Sequence, residues 1–243
     1  MTTPGRLVGV GLGPGDPDLM SVRADRLIRG ARHVAYFRKA GRPGRARTSI
    51  DGMLPEGVTE FAMEYPVTTE IPLDDPAYNA TLSAFYGDVC AHLRDLVMGG
   101  AEVVVPCEGD PFFYGSFMHL HARLKDRIPV EIVPAITGMS AAWTATNRPI
   151  TWGDDVLSVL MATLPEDVLA ARMAEADALV VMKIGRNMDR VRRALRTAGK
   201  FDRAWLVECA AMEAQRVMPL LEAEGRAVPY FSIVLVHGRG RRP

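Results

Sequence analysis

Three glycine-punctuated segments carry the residue types from which a ligand site could be built. The first is Gly9-Val10-Gly11-Leu12-Gly13-Pro14-Gly15-Asp16-Pro17. It follows an apolar run and precedes a helical pattern, which is where a dinucleotide fingerprint would stand. The GxGxxG pattern fails in every register: from Gly9 the last position is Pro14, and from Gly11 it is Asp16. Proline donates no N–H and aspartate repels phosphate, so a nicotinamide cofactor is disfavoured. The second segment is Glu108-Gly109-Asp110-Pro111-Phe112-Phe113-Tyr114-Gly115. It lies just past a β-branched run, where open parallel sheets bind ligands off their carboxyl ends. An acidic, aromatic loop there suits a cationic or adenine-bearing ligand. The third, Val133-Pro134-Ala135-Ile136-Thr137-Gly138-Met139-Ser140-Ala141-Ala142, leaves a strand and enters a helix of small residues. Small side chains leave room for a ligand against the backbone. A tight turn alone would also account for the first segment, and a helix-start turn with an inward aromatic for the second.

Other reactive residues are sparse. Cys90, Cys107 and Cys209 are odd in number and widely spaced, giving neither a disulfide framework nor a CxxC metal pair. Cys107 and Cys209 lie in apolar runs and read as small buried hydrophobes. His119 and His121 are two apart, which suits neither a helical metal pair nor HExxH, and they read as helix-surface histidines. No metal site is expected.

The elements that position these segments alternate. Strands are expected at 7–11, 33–37, 103–105 and 130–133, and helices at 19–28, 78–97, 116–125 and 139–146. The helix at 78–97 is the clearest, with Leu82, Phe85, Val89, Leu93 and Leu96 along one face and Gly99-Gly100 to end it. Strand, helix, strand in this rhythm predicts right-handed crossovers and a mostly parallel sheet. Asn147-Arg148-Pro149 breaks the rhythm, so one domain is assigned to 1–147 and a second, smaller α/β domain to 148–243. In the second, strands are expected at 156–161, 178–182, 204–207, 216–220 and 231–236, with helices at 166–174 and 188–198. Residues 38–75 are Gly/Pro-rich without clear periodicity, and read as a functional lid or insertion.

The 243 residues are 48% hydrophobic and 24% charged, ordinary for a globular chain. Lys+Arg and Asp+Glu are both 29, which argues against a general nucleic-acid binder. No signal peptide or bilayer-spanning run is evident, so a cytoplasmic protein free of the membrane is expected.

Taken together, the three segments resemble the tetrapyrrole (precorrin) methyltransferase family, whose marks are a GxGPGD loop, a GDPxxYG-like loop and a VPG-I-T/S helix start. They stand here at 11–16, 109–115 and 133–137, with Ala135 where the family has glycine. The second half resembles the family through Leu179-Val180-Val181-Met182-Lys183-Ile184-Gly185 and through Glu208-Cys209-Ala210-Ala211 followed by Gln215-Arg216-Val217. Ala210 again replaces a glycine. The resemblance covers essentially the whole chain in order. It implies an α/β fold of two domains, a mostly parallel N-terminal sheet with helices on both faces and a smaller mixed-sheet C-terminal domain. It implies S-adenosylmethionine as methyl donor, lying between the domains, a carboxylate-rich tetrapyrrole as substrate, and a homodimer. By motif match, Pro14, Gly109, Asp110, Phe113, Thr137, Gly138, Met182, Ala210 and Ser232 are assigned to the cofactor. Asp110→Ala is expected to weaken cofactor affinity and leave the fold intact.

Within the family, Tyr65-Pro66-Val67-Thr68-Thr69-Glu70, residues 108–120, Thr137-Gly138-Met139-Ser140 and Met182-Lys183-Ile184-Gly185-Arg186-Asn187 resemble the branch that methylates precorrin-2 at C-20. The alternatives are the cobalt-bearing version of that substrate or another tetrapyrrole. Arginine forks grip carboxylates bidentately. Arg38, Lys39, Arg42, Arg45 and Arg47 could therefore form a cationic clamp for the substrate rim, or simply a solvated charged loop. Tyr114 is placed with Arg38, Arg42 and Arg45 on the substrate side. Tyr114, Glu108 and His119 lie near the right loop for a base, but the sequence singles out none.

Overall fold

The structure is a computed structural model that describes residues 3–67, 75–223 and 225–242. The chain forms two compact units, residues 1–137 and 138–243.

The first unit holds five parallel strands: β1 (Arg6–Gly11), β2 (His33–Lys39), β3 (Thr59–Tyr65), β4 (Glu102–Cys107) and β5 (Val130–Val133). Their order is β3-β2-β4-β1-β5. A parallel sheet covered on both faces reads as unbroken apolar runs, and β1 shows why: Leu7, Val8 and Val10 are all fully buried. Leu7, Val103 and Val105 face helices α3 (Pro76–Met98) and α4 (Phe117–Leu124). Val8, Val10 and Val104 face α1 (Val22–Arg29) and the short α2 (Arg45–Thr48). The helix starts are chemically marked. Ser21 Oγ accepts from Ala24 N–H at 3.1 Å, and Asp75 accepts from Ala77 N–H at 2.8 Å ahead of Pro76. Gly9 has a packing role, because a Cβ there would lie 2.5 Å from the Phe117 ring.

The segment 38–75, read as a lid or insertion, carries regular structure over its first part. Arg38 and Lys39 close β2, α2 follows, and 59–65 becomes the edge strand β3, paired with β2 along its whole length. The strand was masked because only Met63 is buried in it, while Glu60 and Glu64 keep the edge charged. Thr68, Thr69 and Glu70 lie outside the described residues.

The second unit has strands β6 (Leu157–Met161), β7 (Ala178–Met182), β8 (Ala204–Glu208), β9 (Arg216–Pro219) and β10 (Ser232–Val236), in the order β6-β7-β10-β8-β9. Only β6 and β7 are parallel. Helices α6 (Glu166–Glu175) and α7 (Met188–Thr197) cover one face through Leu169, Met173, Val191 and Leu195. Buried Lys200 donates from Nζ to the carbonyls of Met173, Ala174 and Ala176, satisfying the C-terminal end of α6. Helix α5 (Gly138–Ala145) covers the other face, where Ala141 and Ala142 pack with Ile150, Val180, Val207 and Leu235. Helix α5 thus packs with the second unit, which begins at residue 138. Asn147, at φ 53°, ends α5 in a left-handed residue rather than beginning a linker.

Candidate functional site

In the first unit, parallel strands send their following loops to one edge. Pro14 lies beyond β1, Arg42 and Arg45 beyond β2, Gly109, Asp110, Phe113 and Tyr114 beyond β4, and Thr137 beyond β5; Arg38 stands near the end of β2. The central three loops are tied together. Gly109 N–H donates to Gly13 O at 2.9 Å, and Leu12 N–H to Cys107 O at 2.9 Å. Asp110 Oδ1 accepts from Phe112 N–H at 2.9 Å, and Oδ2 accepts from Ala135 N–H at 3.0 Å. Asp110 is thus a strut between the loops after β4 and β5. Gly11 is the gap through which they close. A Cβ there would meet Ala135 Cβ at 2.5 Å and Gly109 O at 2.8 Å.

Segments 9–17 and 108–116 contain Asp16, Glu108 and Asp110 and no lysine or arginine, a setting that favours a cation. Asp16 also caps the turn Pro17–Leu19, accepting from Asp18 N–H at 2.9 Å. Burial pushes the thiol pKa of Cys107 up, reinforced by Glu108 and Asp110, which disfavours the thiolate a nucleophile needs. Burial likewise lowers the pKa of His119, as does Arg123. Its ring lies 4.8 Å from that of Tyr86.

In the second unit, β10 runs antiparallel to β7 and β8, so its start meets their ends. Met182, Ala210 and Ser232 consequently share one edge of that sheet. Ser232 and Ala210 are buried, and Ser232 Oγ donates to Pro229 O at 2.8 Å. Gln215 Oε1 accepts from Ala211 N–H at 2.7 Å, closing the loop after β8. Gly138 opens α5 with only Ile233 Cδ1 near a would-be Cβ, at 3.9 Å.

Backbone strain collects in these loops. Tyr114, Lys183, Cys209 and Ala211 have φ of 55°, 57°, 50° and 58°, angles that non-glycine residues seldom hold. Single-sequence reading missed them, because a left-handed tyrosine or lysine leaves no pattern in composition or period. Cys209 is half-buried rather than buried, a correction that follows from its place on this strained turn. Neither Ala135 nor Ala210 needs a left-handed angle, so the loss of glycine is tolerated at both.

The arginines are partly committed. Arg38 pairs with Glu64, and Arg47 holds Glu60 in a fork, with one arm at 2.9 Å, while also reaching Asp51. Both carboxylate partners, Glu60 and Glu64, stand on the edge strand β3. Arg42 and Arg45 are exposed. Among the described residues, no group of His, Cys, Asp and Glu is arranged to hold a metal ion, and no helix is long and apolar enough to cross a membrane.

The profile of the Tetrapyrrole (Corrin/Porphyrin) Methylases matches residues 6–224. The chain belongs to that family. This tetrapyrrole methylase is 46% identical over 239 residues to the precorrin-2 C(20)-methyltransferase of a Sinorhizobium species, covering 98% of both chains. It is 29% identical over 244 residues to the cobalt-precorrin-2 C(20)-methyltransferase of Salmonella typhimurium, covering 96% of each. Its fold is similar to that of the uroporphyrin-III C-methyl transferase from Thermus thermophilus, whose crystal structure is complexed with S-adenyl homocysteine. The TM-score is 0.67 at 21% identity, over 96% of this chain and 92% of that one. The two-unit α/β architecture read from the sequence is therefore the family's fold.

Proposed function

We propose that this tetrapyrrole methylase transfers a methyl group from S-adenosylmethionine to C-20 of precorrin-2, giving precorrin-3A for cobalamin. The observation that carries this is the 46% identity, over nearly all of both chains, to a precorrin-2 C(20)-methyltransferase. The cobalt-bearing substrate is supported less, by 29% identity.

The residues present fit the methyl donor. The loops after β1 and β4 are glycine-rich, acidic and free of cationic side chains, which favours a sulfonium. Small residues at Ala135, Gly138 and Ala210 leave the backbone approachable. When bound, the donor supplies an electrophilic methyl group. The chain's own task is then placement rather than acid–base activation, and good alignment can remove ~7–11 kcal/mol of barrier. We assign Pro14, Gly109, Asp110, Phe113, Thr137, Gly138, Met182, Ala210 and Ser232 to the donor. Gly109 and Asp110 act through fixed backbone and Ser232 through its packed turn. Arg42 and Arg45, exposed beyond β2, are assigned to the carboxylate rim of the tetrapyrrole, with Arg38 beside them and Tyr114 on its face. We place the enzyme in the cytoplasm as a homodimer, without nucleic-acid or membrane partners.

The test is methyl transfer. Purified protein, precorrin-2 and methyl-labelled S-adenosylmethionine should yield one labelled, trimethylated product, and metal-free precorrin-2 should outcompete its cobalt form. No transfer to either would remove the reading. Preference for the cobalt form would move the enzyme to the other route.

A further inference from the structure

The loop after β4 holds exposed aromatics between two anchors, and only one of them belongs to the donor site described above. Phe112 and Tyr114 are 46% and 44% exposed. On one side the loop is fastened by Asp110 to Ala135 N–H. On the other it is fastened by Ser116. Ser116 stands at the N-cap of α4, yet its hydroxyl does not cap the helix. Instead it accepts from the hydroxyl of Tyr65 at the end of β3. A serine at that position ordinarily stabilises its helix by capping, so its hydroxyl has been diverted to another purpose. Tyr65 is itself fixed. It stacks on Phe37 with ring centroids 5.3 Å apart at 17°, and its hydroxyl lies 3.2 Å from that of Tyr86, which is 4% exposed. Burial keeps the Tyr65 phenol protonated, so it remains a donor. Between the anchors, Tyr114 is held at φ 55°. A strained residue persists only where its surroundings over-determine it.

We propose that Tyr65, acting through Ser116, is a positioning residue that sets the exposed rings of Phe112 and Tyr114 for the planar, carboxylate-bearing substrate, while Phe113, whose N–H donates to Asp110 O at 3.2 Å, stays with the donor side of the loop. The inference rests on the function proposed above. It joins two stretches far apart in the chain, 65–67 and 108–120, through one hydroxyl contact. The aromatic faces suit stacking on a macrocycle, and the β3 anchor holds the other end of the loop from the Asp110 strut. Loss of the Tyr65 hydroxyl therefore loosens the two rings while Gly109, Asp110 and Ala135 stay joined.

The experiment compares Tyr65→Phe, Ser116→Ala, their combination and Ser116→Thr with the wild type. Tyr65→Phe and Ser116→Ala should each raise KM for precorrin-2 about five- to tenfold, the effect of one lost hydrogen bond. The dissociation constant for S-adenosylhomocysteine, by calorimetry, should stay within about twofold. The double variant should be no worse than either single one, because both remove the same contact. Ser116→Thr, which keeps a hydroxyl, should restore most of the KM. Unchanged KM in both single variants would overturn the proposal, as would donor affinity falling in step with substrate affinity. Hydrogen exchange at the amides of residues 112–115 separates this from the functional reading. A wild type inactive on every precorrin-2 form would sink that reading, while faster exchange in Tyr65→Phe would still support the anchor and unchanged exchange would sink it.

Discussion

At the scale of single residues, Asp110 and Gly11 carry the first unit's edge. The sequence places Asp110 with the cofactor and expects its loss to spare the fold. The structure adds a stability role, because both carboxylate oxygens accept backbone N–H groups, one of them across to the next loop. Asp110→Ala should lower stability by about 1–3 kcal/mol through the orphaned N–H groups. It should also weaken S-adenosylhomocysteine binding at least tenfold (about 1.4 kcal/mol). Asp110→Asn keeps one acceptor and should lose less of both. Thermal unfolding and calorimetry on the same samples check the pair of effects; full stability with weakened binding would return Asp110 to a purely ligand-contacting role. Gly11→Ala is harsher for its size. Its Cβ has no room between Ala135 and Gly109 O, so about 1–3 kcal/mol of overpacking is expected from urea unfolding. This glycine was legible as a close approach from its motif. The partner it makes room for was not, since β1 and β5 meet only in the folded sheet.

At the scale of elements, the segment 38–65 shows how a strand hides. Strands are recognised by alternation of buried and exposed residues, and an edge strand with charges on it buries too little to display one. The arginines then divide by element. Arg47 ties α2 to β3 through Glu60, whereas Arg42 and Arg45 lie on the exposed turn and helix start. Arg47→Ala should therefore cost stability, about 1 kcal/mol after solvent screening, with substrate KM unchanged. Arg42→Ala should instead raise KM for the polyanionic substrate severalfold, and adding Arg45→Ala should raise it further. The increase should shrink at high salt, as an exposed charge contact requires. Steady-state kinetics at two ionic strengths decide it. Identical KM at low salt would leave the cluster as a solvated surface.

At the scale of the whole molecule, the two units share an acid sensitivity. His119 in the first and His237 in the second both have a pKa held below the ordinary imidazole value of 6.5. Burial is the main cause for each, assisted by Arg123 for His119 and by Arg148 for His237, whose ring is bound between Thr146 and Pro149. The unfolded chain takes up these protons at a higher pH than the folded one. Stability is therefore fully present above the ordinary value and is lost as pH falls through and below it. Urea midpoints should drop between about pH 7.5 and pH 5.5. His237→Gln should flatten part of that slope, which separates the histidines from carboxylates titrating lower. A slope identical in the variant would assign the acid loss elsewhere.

Period and punctuation in the chain determined most of the elements, because a buried parallel strand and an amphipathic helix each write their burial into the sequence. The order of glycine, proline and acidic residues after those strands also identified the loops that belong to the site, since turn geometry constrains residue type locally. Tertiary structure alone decided the rest. It made Asp110 a strut, paired Arg38 and Arg47 with glutamates of β3, put left-handed angles on Tyr114, Lys183, Cys209 and Ala211, and turned the Ser116 hydroxyl toward Tyr65. The Asp110, Arg38, Arg47 and Ser116 contacts each depend on a partner distant in the chain. A partner of that kind is chosen by strand order and register, which no local pattern of residues records.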